Sequence, residues 1–407
     1  MGDFRPARPD IVRRLNAMSG GVGGAAAMVP LDADEIIALA VTATGLDDFG
    51  EPTWEEPYRR LVGALNTEAR LNVVGRLMCR HDLVRHLCAR LTVVDAHRRD
   101  PALAATPVPA PVFITGPARS GTSILQELLA LDPNLRAPYA YEMAHPVVGP
   151  EVDDATRIAW AESEFDLWGD VNPGFHAVHD LDARLPEECL WLMAPQFDLG
   201  FWSTNTEVPG WMAYRAFTDT APVYAMHKAF VQVLQGGTPA TWLFKSPVHL
   251  SRLPALFAVY PDARIIRTHR DPLKTAASTV STLAEGRYTR SDEIELGAIA
   301  TSSVFGLTMI LNGLADPAAA LPEGQVAELQ YLDLMADPVA AVSAVYDTLG
   351  LPMAPELPGL MTAYLAERPQ GRLGAHRYSL EGYGLDPVAL REQFLPYTDA
   401  FSVPYEV

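Results

Sequence analysis

The chain has 407 residues, 49% hydrophobic and 20% charged, an ordinary composition for a globular protein that can bury a sizeable core. Its formal net charge of −19 excludes a general nucleic-acid binder, which needs a basic surface against phosphate backbones. A small anionic ligand in a local positive pocket stays open.

The N-terminal stretch is basic but has no continuous apolar run, so no signal peptide is expected. No run reaches the roughly 18 apolar residues of a membrane span. The Gly-Ala tract at 20–27 reads as a flexible joint. Asp32, followed by acidic residues, predicts a capped helix start. Between 58 and 97, apolar residues recur at helical spacing (Leu61, Leu65, Leu71, Val74, Leu77, Met78, Leu87, Leu91), which predicts two or three helices. Cys79, Cys88 and Cys189 match neither a metal-ligand spacing nor an even disulfide set, and point to reduced thiols in a cytoplasmic protein.

The proline-rich segment 106–111 breaks this pattern. It divides a helical extension, 1–105, from a second domain, 106–407. There, short apolar runs at 112–115, 241–244, 263–268 and 325–329 read as buried strands. Helical patterns at 122–131, 272–283 and 337–349 follow three of them, giving an α/β fold with a parallel sheet flanked by helices. An insertion at 140–235 is rich in aromatic residues, including Trp191, Phe197, Phe201, Trp202, Trp211, Tyr214 and Phe217. That density suits an apolar pocket or lid as well as core.

Strand, glycine-bounded turn, then helix is the geometry of an anion site, because the first N–H groups of a helix lack internal partners and its dipole adds positive charge. Here Gly116 and Gly121 bracket the turn. Ser120, Thr122 and Ser123 offer hydroxyls, and Arg119 offers a forked cation. The segment nearly fits the P-loop pattern of nucleotide hydrolases, but Thr122 stands where that pattern requires lysine, which argues against an ATPase or GTPase. Arg270 ends the third strand and Ser278 follows eight residues later, a pair able to close on one phosphate. Lys245 ends the second strand and should face the ligand edge of the sheet.

The sequence PARSGTS at 117–123 resembles the P-x-R-S-G-T-[ST] loop of sulfotransferases that use 3′-phosphoadenylyl sulfate (PAPS), particularly the bacterial and protein-tyrosine branches. The resemblance covers roughly 110–400. It implies a P-loop-like α/β fold in which Arg119, Ser120, Gly121, Thr122 and Ser123 hold the 5′-phosphosulfate side of the cofactor. Arg270 and Ser278, at the family spacing, would bind its 3′-phosphate, and PAP would be the product. Lys245 would stand against the transferring group. Glu142 is the preferred base, although it lies about two residues beyond the position in the tyrosine branch. His249 is the alternative, displaced by two from the K-x-H pattern of animal enzymes, where Pro247 stands here. His176, His179, Glu187 and Glu188 remain further candidates. A late basic, glycine-containing segment offers Arg372, Arg377 and Tyr378 as cofactor contacts. The acceptor implied is a small, partly hydrophobic alcohol or phenol, since no broad basic tract suits a polyanion. No metal is required. The competing readings are a P-loop-type kinase or nucleotide hydrolase, and a non-catalytic PAPS- or PAP-binding protein. Oligomeric state is not legible.

Overall fold

A computed structural model describes residues 6–149, 152–179, 181–316, 321–368 and 380–406. The expected cap at Asp32 forms: its carboxylate accepts the Glu35 N–H at 2.9 Å and starts the helix Ala33–Thr44. The apolar repeat between 58 and 97 becomes the helix Glu55–Thr67 and the long helix α1, Val73–Arg99. Asn72 caps α1 by accepting the Gly75 N–H at 2.8 Å. The Gly-Ala tract is not a plain joint. It folds as a 3-10 turn, Ser19–Val22, and a short helix, Ala25–Met28, because Gly23 and Gly24 take left-handed φ of 88° and 98° between them.

The sheet is four-stranded and parallel, in the order β2-β1-β3-β4, with β1 at Val112–Thr115, β2 at Leu243–Lys245, β3 at Arg264–His269 and β4 at Val326–Gln330. The second strand starts later than its apolar run suggests. Trp242 pairs instead with Arg136, in an isolated bridge at the entrance of β2. Alternation along the strands divides the core. Val112, Ile114, Leu243 and Ile266 pack on the side of helix α2, Thr122–Leu129. Phe113, Phe244 and Ile265 pack on the other side. Both faces are covered, which is why these strands read as continuous apolar runs.

That second core does not stop at the proline break. Val12, Ile36, Leu61 and Leu83 share one apolar cluster with Phe113 and Ile265 of the sheet and with Trp202 of the insertion. The break marks a change of secondary structure within one core. Most insertion aromatics serve that core: Trp191, Phe197, Phe201, Trp202 and Trp211 are buried in it. Phe217 is 93% exposed, and Tyr214 lies under the Arg60 guanidinium.

The helix α3, Ala140–Ala144, opens the insertion. Beyond β3, α4 runs over Pro272–Tyr288, past the predicted end, and α5 over Leu296–Leu314. By length and composition α5 could cross a membrane. Its inner side, however, buries Ile299, Ala300, Val304 and Leu311 against the protein. At the opposite end of the chain, the Arg8 guanidinium reaches Asp292 at 2.7 Å and the carbonyls of Val171, Tyr288 and Ser291. Arg372, Arg377 and Tyr378 lie outside the described residues.

One close approach joins α1 to the chain after α4. A Cβ at Gly75 would stand 1.9 Å from the Arg290 carbonyl oxygen. That same oxygen accepts the Asn72 N–H at 3.1 Å. Gly75→Ala therefore forces the two segments apart and should lower stability by about 2–3 kcal/mol. A fall in the thermal midpoint, followed by circular dichroism, checks it; an unchanged midpoint would show that the contact is loose.

Candidate active site

The C-terminal ends of the strands form the working edge of the sheet, as in other open parallel sheets. The chain leaves β1 at Thr115 and turns through the loop into α2. Two features make this turn possible. Arg119 and Gly121 both take left-handed φ, 66° and 86°, so successive amides turn toward a common concavity. Gly116 lies against β3, where a Cβ would stand 2.0 Å from Thr268 Oγ1. Ser120 is fully buried, and its hydroxyl meets the Pro117 carbonyl at 2.6 Å and Thr268 Oγ1 at 2.6 Å. Its side chain thus latches the loop to β3. The Ser123 hydroxyl and the Arg119 side chain remain on the exposed side of the loop.

Lys245 ends β2 with only 2% of its side chain exposed, and its ammonium donates to Ser123 Oγ at 3.3 Å and Glu188 Oε1 at 2.8 Å. Burial pushes an ammonium pKa down, but Glu188 and Glu187 outweigh burial and hold Lys245 above its ordinary value. Ser246 Oγ donates to the second Glu188 oxygen at 3.4 Å. Behind Glu188, the Glu187 carboxylate accepts the Glu188 N–H at 2.7 Å and meets His179 Nε2 at 3.1 Å. Burial would raise the Glu187 carboxyl, yet the His179 and Lys245 charges pull it down to about 2. Burial lowers His179, and the Glu187 carboxylate overcomes that and raises it above 6.5. The result is a row of charged groups, Lys245, Glu188, Glu187 and His179, with two acids side by side between two cations. These two carboxylates and the histidine were only secondary candidates in sequence. Nothing local marks them, because the contact to Lys245 spans 57 residues.

Arg270 follows β3. Its Nη1 donates to the Arg119 carbonyl at 2.6 Å, so the turn after β3 is tied to the loop after β1. Its plane lies 3.8 Å from the Tyr331 ring centroid. Tyr331, directly after β4, was missed in sequence, although a residue at a strand end is a usable signal. Nε and Nη2 donate in a fork to the two carboxylate oxygens of Glu406, both at 2.8 Å. Ser278 is buried two turns into α4.

The two candidate bases are placed differently from Lys245. Glu142 closes the start of α3, accepting the Tyr139 N–H at 2.9 Å and Arg136 Nη2 at 3.2 Å. The Arg136 guanidinium in turn covers Trp242 at the entrance of β2. Glu142 therefore serves as a helix cap. His249 is fully buried on the Phe113 face of the sheet, edge-on to that ring, while the Lys245 ammonium meets α2 on the opposite face. Its Nδ1 meets the Tyr224 hydroxyl at 2.8 Å, and burial, with the nearby His227 and Arg252, pushes its pKa well below 6.5. His176 stands beside Gly169, where a Cβ would come 1.8 Å from its Nε2.

Comparison with known proteins gives three agreeing results. The sequence model described as "Sulfotransferase family" matches residues 111–355. A curated relative named omega-hydroxy-beta-dihydromenaquinone-9 sulfotransferase Stf3, from Mycobacterium tuberculosis and Mycobacterium bovis, is 26% identical over 259 residues, covering 59% of this chain and 63% of the relative. The crystal structure of sulfotransferase STF1 of Mycobacterium tuberculosis is 28% identical, with a TM-score of 0.75 over 89% of this chain and 98% of that one. Sulfotransferase STF9 of Mycobacterium avium is 25% identical, with a TM-score of 0.82 over 92% and 97%.

The Glu187–His179 pair has a pH signature. Glu187, lowered from 4.5 to about 2, contributes stability that is present above pH 4.5 and lost as pH falls through about 2. His179, raised above 6.5, contributes stability that is full below 6.5 and lost as pH rises through its raised value. Thermal midpoints of wild type and His179→Ala should therefore differ most between these limits and converge at higher pH. Parallel curves would remove the pairing.

Proposed function

The chain belongs to the sulfotransferase family, and we propose that it moves a sulfuryl group from PAPS to a hydroxyl of a small, partly hydrophobic acceptor. The observation that carries this reading is the hydrogen bond from Arg270 to the Arg119 carbonyl. It ties two anion-binding turns together, as a ligand with two separate phosphates requires. The residues fit such a ligand. The loop has no room for a Cβ at Gly116, the start of α2 offers unpaired amides, and the Arg270 fork already holds an anionic group.

On this reading Arg119, Gly121, Thr122 and Ser123 hold the 5′ side, with Ser120 fixing the loop from beneath. Arg270 and Ser278 hold the 3′-phosphate. When bound, PAPS supplies an activated sulfuryl group. Lys245, buried and kept charged, stabilises the negative charge that develops on the leaving side, an effect worth about 3–4 kcal/mol for one preorganised donor. Glu188 takes the acceptor proton. Geometry favours it over Glu142 and His249 because it alone of the three touches Lys245. Glu187 and His179 hold it in place. The chain spans 63% of the curated relatives it matches. Their name, a sulfotransferase of a hydroxylated menaquinone, supports an apolar alcohol as acceptor. The unpaired Cys79, Cys88 and Cys189 support a cytoplasmic setting.

Calorimetry with PAP, adenosine 5′-phosphate and ATP–Mg²⁺ tests the cofactor. PAP should bind most tightly, and Arg270→Ala should weaken it by about 10- to 100-fold. Tighter binding of ATP–Mg²⁺ would favour a kinase instead. With radiolabelled PAPS and naphthol or farnesol as acceptor, Glu188→Gln should lower kcat by about 10²- to 10⁴-fold while PAP affinity holds. Glu142→Gln should lower the thermal midpoint and leave most of the turnover. The reverse pattern would return the base to Glu142.

A further inference from the structure

Glu406 is separated from Arg270 by 136 residues, yet its carboxylate meets the guanidinium as squarely as any ligand could. Nε and Nη2 each donate to a different oxygen at 2.8 Å, the forked arrangement in which arginine binds carboxylates and phosphates alike. The segment carrying it is anchored at several points. Val403 is buried in an apolar cluster with Leu273, Leu390, Phe394 and Tyr397. The Tyr405 ring lies 3.9 Å from the Arg391 guanidinium. The Glu406 N–H donates to Asp271 Oδ2 at 2.9 Å, an oxygen that Arg391 also reaches at 3.4 Å. Asp271 caps α4 through its other oxygen, which accepts the Leu273 N–H at 3.0 Å. Glu406 is thus held on the residue beside Arg270, with its acid group aimed into the fork.

We propose that Glu406 is an internal stand-in for the 3′-phosphate, and that residues 404–406 form a gate which the nucleotide must displace to bind. The inference rests on the assignment of Arg270 to the 3′-phosphate. Two anionic groups cannot share the fork, because like charges at that distance repel strongly. The nucleotide therefore binds only the fraction of molecules whose gate is open, and its apparent affinity falls by that fraction. Val403 is the fixed point, and Pro404 to Glu406 are the moving part. The gate discriminates by ligand: a nucleotide lacking the 3′-phosphate has no group to exchange for the carboxylate.

The test is calorimetry on the full chain, using PAP and adenosine 5′-phosphate against wild type, Glu406→Gln and Glu406→Ala, with folding checked by circular dichroism. Both variants should bind PAP at least about fivefold more tightly, with adenosine 5′-phosphate unchanged. If wild type binds PAP and the variants bind it equally or more weakly, the gate is overturned and the cofactor assignment stands. Equal tightening for both nucleotides would also overturn it, since that reports general loosening. If neither wild type nor either variant binds PAP, the cofactor assignment fails and the gate with it.

Discussion

A buried ammonium governs the arrangement of this site. Lys245 has lost nearly all contact with water, and an isolated charge in that position would give up its proton. Glu188 prevents this, but a second carboxylate, Glu187, lies directly behind and would repel it. His179 relieves the repulsion. The requirement therefore propagates outward: a lysine at the end of β2 recruits two acids from the insertion, and the acids recruit a histidine from a turn before them. The insertion is held in register with the sheet partly by this chain of charge, and by the Cys189 N–H donating to the Lys245 carbonyl at 3.0 Å. The burial of Lys245 and Glu187 keeps the local dielectric low, which strengthens each of these interactions.

The parts of this design that were legible in sequence are those written locally. β1, the loop and α2 follow one another within a single short stretch, so their strand, turn and helix signals could be read together. The Arg270–Ser278 spacing was readable for the same reason, because both lie on one strand end and the helix after it. Lys245 was readable as a polar residue closing an apolar run. Glu188, Thr268, Tyr331 and Glu406 were not, because each gains its meaning from a residue far away in the chain. Thr268 looks like an ordinary strand residue until the loop folds down on it and excludes any side chain at Gly116.

Two features carried an ambiguous local signal. Glu142 stands three residues after Tyr139, at the position from which a carboxylate reaches back to cap its own helix. A one-dimensional reading cannot separate a cap from a base. His249 follows Lys245 closely, but the 3-10 turn Pro247–Ser251 rotates it to the far face of the sheet. Likewise the proline-rich break correctly marked a change from helices to strands. It could not reveal that helices on both sides bury their apolar faces in one cluster.

The grip of Arg8 carries a consequence for the order of events during synthesis. Its partners at Val171, Tyr288, Ser291 and Asp292 do not exist when Arg8 leaves the ribosome. At translation speeds of about 5–20 residues per second, the wait for residue 292 is on the order of 15 to 60 seconds. Through that interval the apolar sides of the first helices have no sheet to cover them, since the strands that complete their core come later in the chain. The fold is a clasp whose first half is made long before its second. Until then the chain is tethered to the ribosome with those apolar sides uncovered, the interval in which exposed hydrophobic surface is most open to wrong association.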